Sequence, residues 1–179
     1  MLSFLGDHLL LIGGRRGRHH SDVEIINFGT KDDVCQSRDL DSPVEDHSSV
    51  ATRRGVVTCG GQWNGIRLNK CIVQTKDGKT KPFPSMNQRR SSFGMVLMDQ
   101  SLIVVGGFGA DDTMEKISLN GSRWIKVNLS FRIFNHCVVA INETMVMAIG
   151  GYDGNLKVSK RYFDFVTKTR NLRKRKKSL

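Results

Sequence analysis

The chain has 179 residues, a formal net charge of +11, 39% hydrophobic residues and 18 glycines. No segment reaches the roughly 18 consecutive apolar residues that a membrane-spanning helix needs. Near the N-terminus, Asp7 and His8 interrupt the apolar stretch and no basic start precedes it, which argues against a signal peptide. We therefore expect a cytoplasmic globular protein without a membrane anchor.

Four apolar runs end in a pair of glycines, and the pairs recur at steps of 47, 46 and 44 residues. The pairs are Gly13-Gly14, Gly60-Gly61, Gly106-Gly107 and Gly150-Gly151. A nearly fixed period in this range indicates an array of one supersecondary unit.

In chain order, each unit contains the same kinds of apolar run. A first run and a short polar link precede the glycine-ended run in the last three units, at 48–52, 93–98 and 137–141. A third run follows the glycines, at 23–28, 70–74, 115–119 and 160–165, and a fourth is clearest at 123–127. Runs joined by short polar links indicate antiparallel hairpins, so we predict four-stranded meanders. Residues 1–6 are too few for a strand and a link, so we expect the first unit to lack its opening strand.

The repeat resembles the kelch motif of β-propellers. The likeness lies in the glycine-ended strand, the loop 151–155, the link 84–92 and a last strand that opens with Trp124. It implies an all-β chain of about four kelch-type propeller blades, the first one incomplete, over residues 1–170. The expected units are 1–41, 42–86, 87–130 and 131–170, followed by a disordered basic tail at 171–179.

Only the third unit has the tryptophan in its expected place. Closed propellers need roughly four to eight blades, so we expect an open or partial propeller that could associate with itself through exposed blade edges. We expect Trp124 to be buried between blades and Trp63, which follows a glycine pair, to be exposed.

The resemblance implies a protein-binding module that uses loops between strands and between blades. Such a module could be the substrate-recognition part of a ubiquitin-ligase adaptor or an actin binder. Arginines in these loops favour an acidic peptide, and exposed aromatic rings supply apolar contact area. The candidate partner-binding residues are Arg15, Arg16, His19, Trp63, Arg67, Arg90, Ser91 and Tyr152.

Two alternatives stay open: a kelch-fold enzyme of the sugar-epimerase or oxidase type, and a truncated fragment without an independent function. A copper radical site would need a coordinated set of tyrosines and histidines, and the chain has only Tyr152 and Tyr162. The histidines are scattered, and the pairs Asp32-Asp33 and Asp111-Asp112 lack an oxygen-rich loop. We therefore expect a protein that is not an enzyme and that has neither a cofactor nor a metal site.

The four cysteines show no metal-ligand spacing. Cys59, Cys71 and Cys137 fall in predicted strands, so we expect buried free thiols in a reducing compartment, with Cys35 more exposed in a loop. The tail from Arg170 holds six basic residues and no acidic one. It could act as a nuclear-import signal, and we expect no nucleic-acid partner beyond non-specific contact through this tail.

Overall fold

The computed structural model describes residues 2–5, 8–16, 18–27, 34–36, 40–75, 77–153 and 158–164. Every regular element among them is a β-strand, and no helix long and apolar enough to cross a membrane occurs there. The chain divides into two compact units, Met1–Ser91 and Ser92–Leu179. The all-β class is therefore confirmed.

The first unit begins with an antiparallel sheet of four strands in chain order. These are β1 (Leu2–Leu5), β2 (His8–Arg16), β3 (Arg18–Asn27) and β4 (Val34–Gln36). The expectation that this unit lacks an opening strand is wrong, because β1 pairs with β2 from Leu2↔Leu11 to Leu5↔His8. A four-residue strand and a very short link are enough to start this sheet.

The second sheet of this unit consists of β5 (Ser48–Thr52), β6 (Gly55–Cys59), β9 (Cys71–Gln74) and β10 (Thr80–Phe83). A small hairpin, β7 (Gln62–Trp63) and β8 (Ile66–Arg67), is inserted between β6 and β9. Its turn residues Asn64 and Gly65 have φ of 48° and 75°. A two-residue type I′ turn needs positive φ at both positions, which is why Asn-Gly is favoured there.

The second unit repeats the pattern in two further sheets. The first contains β11 (Gly94–Met98), β12 (Ser101–Val105), β13 (Thr113–Ser118) and β14 (Ile125–Asn128). The other contains β15 (Cys137–Ala140), β16 (Met145–Tyr152) and β17 (Val158–Asp164). A fourth strand after β17 and the predicted tail at 171–179 lie outside the described residues.

The glycine-ended runs form the second strand of each sheet, as the period predicted. The glycines are needed because the backbone of the next segment lies against them. Gly106 and Gly107 have φ of 59° and 94°, and a Cβ on Gly106 would lie 2.2 Å from the Ile133 carbonyl oxygen. The Gly107 N–H donates to that oxygen at 2.8 Å, as Gly14 N–H does to the Val44 carbonyl. Each of the first three glycine pairs therefore fixes the chain that leads into the following sheet, since Gly61 N–H donates likewise to the Arg90 carbonyl.

One face of a sheet packs against the opposite face of the next sheet within each unit. In the first unit, Leu10 and Ile12 of β2 belong to one buried cluster with Val56 of β6. In the second unit, the corresponding residues Ile103 and Val105 of β12 cluster with Val146 and Ala148 of β16. Both β2 and β12 therefore use the residues one and three positions before the glycine pair.

The expectations for the cysteines are wrong in at least one respect for each of the four residues. Cys59 and Cys71 are register partners on β6 and β9 and form a disulfide, with their Cα atoms 4.2 Å apart. Cys137 is a free cysteine but is exposed, and Cys35 lies in β4 rather than in a loop. Direct cross-strand pairing brings the two thiols together, a proximity that sequence spacing alone does not show.

Candidate functional site

The predicted site residues are distributed over both units. Arg15 and His19 are register partners where β2 and β3 meet, next to Arg16. Trp63 and Arg67 belong to the β7–β8 hairpin, where they lie on opposite strands. Tyr152 ends β16 in the second unit. The structure therefore gathers Trp63 and Arg67 on one element, and it places Tyr152 in a different compact unit.

Arg90 and Ser91 do not lie on an exposed edge, which corrects the expectation that they contact a partner. They are 0% and 1% exposed. The Arg90 N–H donates to the Leu68 carbonyl at 3.0 Å, and its carbonyl accepts from Gly61 N–H at 2.9 Å. These two residues belong to the interior of the first unit, because the hydrogen bond from Gly61 holds their backbone against the sheet.

A pocket of about 240 Å³ opens in the first unit beside the β7–β8 hairpin. We call it the Trp63 pocket, because Trp63, 40% exposed, is its largest apolar lining residue. Its lining residues are Leu40, Asp41, Ser42, Val44, Thr58, Gly60, Trp63, Leu68, Lys70 and Ile72. The lining combines an apolar floor with a few polar groups, as is typical of binding sites.

Backbone hydrogen bonds fix the hairpin that carries Trp63. Gln62 exchanges two bonds with Glu45, at 3.0 and 2.8 Å, and Leu68 N–H donates to the Gly61 carbonyl at 2.9 Å. Since both ends of the hairpin are tied to neighbouring chain, Trp63 is held beside the pocket before any ligand arrives. Such preorganisation lowers the entropic cost of binding.

The polar groups around the pocket are paired with one another. Lys70 Nζ lies 2.7 Å from Asp41 Oδ2, and both side chains are well exposed, at 59% and 65%. The Thr58 hydroxyl shares a hydrogen bond of 2.9 Å with Ser49. An exposed ion pair contributes little stability, so a ligand carboxylate can compete for Lys70 at small cost.

The second unit presents a separate aromatic cluster. The Phe134 ring lies with its centroid 4.1 Å from that of Phe108 and 5.8 Å from that of Tyr152. Phe108 and Tyr152 are 37% and 40% exposed, whereas Phe134 is buried. Phe134 and Tyr152 also exchange backbone hydrogen bonds of 3.1 and 2.9 Å. This cluster gives Tyr152 the exposed position that a contact residue needs.

Two buried histidines occupy the same place in their repeats, just before the first strand of a sheet. Burial lowers the pKa of His47 to about 4, although the nearby backbone of Ile12 opposes this. Burial likewise lowers the pKa of His136 to about 4, with the backbone of Val105 in the opposing role. Both rings are therefore neutral at physiological pH and act as packed side chains.

Among residues whose structure is described, no group of three or more His, Cys, Asp or Glu side chains could hold a metal ion. A scan of protein-family models finds none that matches this chain, and a search of curated proteins finds no match either. The site must therefore be interpreted from its own geometry.

Sequence reasoning identified Trp63 but not the pocket beside it. Leu40, Val44 and Lys70 come from chain before β5 and after β8, and nothing in their spacing relates them to Trp63. One signal could have improved the prediction: Asn64-Gly65 between Trp63 and Ile66 is a strong hairpin pattern. It predicts two short strands on either side of this turn, as the structure has them.

Proposed function

We propose that this chain is a protein-binding module of the kelch-like propeller type, and that its Trp63 pocket binds an apolar side chain of an acidic partner segment. The observation that carries the proposal is an apolar pocket beside an exposed tryptophan on a backbone-anchored hairpin. Aromatic residues next to preformed pockets are the usual anchors of protein interfaces.

The size of the pocket favours a side chain over a small-molecule ligand. Small-molecule sites usually enclose about 300–1,000 Å³, whereas this pocket has about 240 Å³. Leu40, Val44, Leu68 and Ile72 surround the space with apolar surface. A leucine-sized or phenylalanine-sized side chain could bury itself there, which is worth about 1.5–3 kcal/mol.

The charge of the hairpin supports an acidic partner. The chain from Gly60 to Lys70 contains Arg67 and Lys70 and no acidic residue. The carboxylates beside it are already engaged, that of Asp41 by Lys70 and those of Glu45 and Asp46 by the Gln62 amide. The turn between β2 and β3 adds Arg15, Arg16 and Arg18 in the same unit. Arginine forks pair well with carboxylates, so acidic residues flanking the apolar anchor would find partners here.

The broader role follows from the repeat. Antiparallel meanders in chain order, each with a glycine-ended second strand, are consistent with propeller blades. In kelch-like proteins such blades support recognition of a substrate by a ubiquitin-ligase adaptor, or of actin. We propose the first of these roles for a longer assembly, because the Trp63 pocket suits a short peptide segment rather than a broad filament surface.

The experiment is a peptide array in which one leucine or phenylalanine is flanked by a varied number of glutamates. Trp63→Ala should weaken binding by about 30-fold or more, as hot-spot truncations do. Arg67→Glu should weaken binding most for the more acidic peptides, and it should flatten the loss of binding at high salt, because less charge attraction is left for salt to screen.

The matched control is Arg53→Glu, the same charge change at an exposed residue in the turn between β5 and β6. That turn lies at the opposite end of β6 from the glycine pair and the pocket. Equal losses for Arg67→Glu and Arg53→Glu would mean that net charge alone drives binding. Unchanged binding by Trp63→Ala would refute the pocket as the site.

A further inference from the structure

We infer that the last sheet of the chain carries an assembly interface for the first sheet of a second copy. The interface is one face of the sheet β15–β16–β17, and we call it the tail face. By strand alternation it contains Cys137, Val139, Ile141, Met147 and Ile149, where Cys137 pairs with Ile149 and Val139 with Met147.

The tail face is apolar and exposed. Val139 is 38% exposed, Ile141 49% and Ile149 43%. The opposite face of the same strands holds Val146 and Ala148, which are each 1% exposed in the core of the second unit. Strands that are apolar on both faces are typical of sheets covered on both sides, so one cover is absent among the residues that the structure describes.

The repeat indicates what covers such a face. Counted back from the glycine pairs, Ile149 corresponds to Val105 and Met147 to Ile103. Counted along the first strand, Ile141 corresponds to Met98. Those residues of the preceding sheet are 2%, 0% and 3% exposed, because they pack against Val146 and Ala148 of the next sheet.

The first unit uses the same device. There Leu10 and Ile12 of β2 pack against Val56. Val56 stands four residues before Gly60, and Val146 likewise stands four residues before Gly150. In each unit, therefore, the face that corresponds to the tail face is covered by the residue at the repeat position of Val146, together with Ala148 in the second unit. The natural cover for the tail face is a further sheet that presents these positions.

The first sheet of the chain has apolar residues at the same repeat positions. Leu9 and Leu11 in β2 occupy the repeat positions of Val146 and Ala148. Glu24, the register partner of Leu11, is exposed. We call this the head face. A tail face on one copy and a head face on another are different surfaces, so the contact is head-to-tail rather than two-fold symmetric.

The test is the mass of the purified full chain by light scattering or sedimentation over a wide concentration range. We expect the mass to rise from one chain to two or more as concentration increases. Ile149→Lys should hold the chain at the mass of a monomer. The matched control Ile125→Lys, at a 66% exposed residue of β14, should assemble as the parent does.

A mixing experiment tests the head-to-tail arrangement. Leu11→Lys alters the head face and Ile149→Lys the tail face, so each variant alone should be monomeric. Mixed together, they should form a dimer of one chain of each kind through the two unaltered faces. No dimer in the mixture, with circular dichroism showing both variants folded, would overturn the head-to-tail contact.

A second measurement needs no substitution. Cys137 is a free, exposed cysteine on the tail face, and mass spectrometry can follow its alkylation separately from the rest of the chain. Its alkylation rate should fall several-fold between dilute and concentrated protein. The proposal would be overturned if the parent chain stayed monomeric and its Cys137 alkylation rate stayed constant. It would also be overturned if Ile149→Lys assembled to the same mass as the parent chain.

Discussion

The two buried histidines make the stability of the fold sensitive to acid. The pKa of His47 falls from 6.5 to about 4 on folding, and the pKa of His136 does the same. At about 1.4 kcal/mol per pH unit, each difference corresponds to ~3 kcal/mol of stability. Typical domains have only about 5–15 kcal/mol in total, so protonation of these rings should unfold much of the protein.

The sign follows from the direction of the change. Because the folded pKa lies below the unfolded one, the unfolded chain binds more protons between pH 6.5 and about 4. The contribution of the two neutral rings to the free energy of unfolding is therefore fully present above pH 6.5. It is lost progressively as the pH falls from 6.5 to about 4.

The assay is urea denaturation followed by circular dichroism at a series of pH values through this range. The repeat supplies the substitution, because Phe93 occupies the position of His47 and His136 and is 5% exposed. His47→Phe with His136→Phe should flatten the stability profile between pH 6.5 and 4. The reciprocal Phe93→His should steepen it.

One result would refute this reasoning. If the double phenylalanine variant lost stability with the same slope as the parent over that range, the acid sensitivity would come from other groups. The burial of His47 and His136 would then have no bearing on the pH dependence.

Three further predictions concern the packing. Gly150→Ala should lower the free energy of unfolding by about 1 kcal/mol, because its φ is positive but a Cβ there meets open space. Gly151→Ala should lower it by about 2–3 kcal/mol, because the new Cβ would also lie 2.5 Å from a carbonyl oxygen; urea titrations measure both. Trp124→Ala should cost about 3–5 kcal/mol and Trp63→Ala under about 1 kcal/mol, because their exposed fractions are 5% and 40%. Reducing the cross-strand disulfide, which closes a loop of 12 residues, should lower the urea midpoint by the equivalent of about 2–4 kcal/mol, measured with and without dithiothreitol.

The period of the glycine pairs predicted most of the strands, because hydrophobic alternation and turn residues act locally. The glycine-ended runs all became second strands, and the contrast between buried Trp124 and exposed Trp63 is confirmed. The opening strand at Leu2–Leu5 escaped prediction because a strand this short has little pattern of its own. Its identity comes from pairing with β2, which is a non-local interaction.

The pocket and the disulfide could not be predicted for a related reason. Both depend on which residues face each other across strands that are separated in the chain by an inserted hairpin. Cys59 and Cys71 are 12 residues apart in sequence but direct partners in the sheet. A register counted from the Asn64-Gly65 turn, which pairs Gln62 with Arg67, would put Cys59 opposite Lys70, whereas in the sheet Cys59 pairs with Cys71.

Arg90 shows most clearly where residue type misleads and position does not. Arginine is rarely fully buried, so residue type favours an exposed contact. Yet Arg90 stands four residues before β11, as Val44 and Ile133 stand before β5 and β15. All three carbonyls accept a hydrogen bond from the second glycine of a pair, and all three residues are buried. Because the glycine pair fixes this backbone whatever side chain it carries, burial in such a chain follows from the position in the repeat, and aligning the segments before the first strands would have placed Arg90 inside.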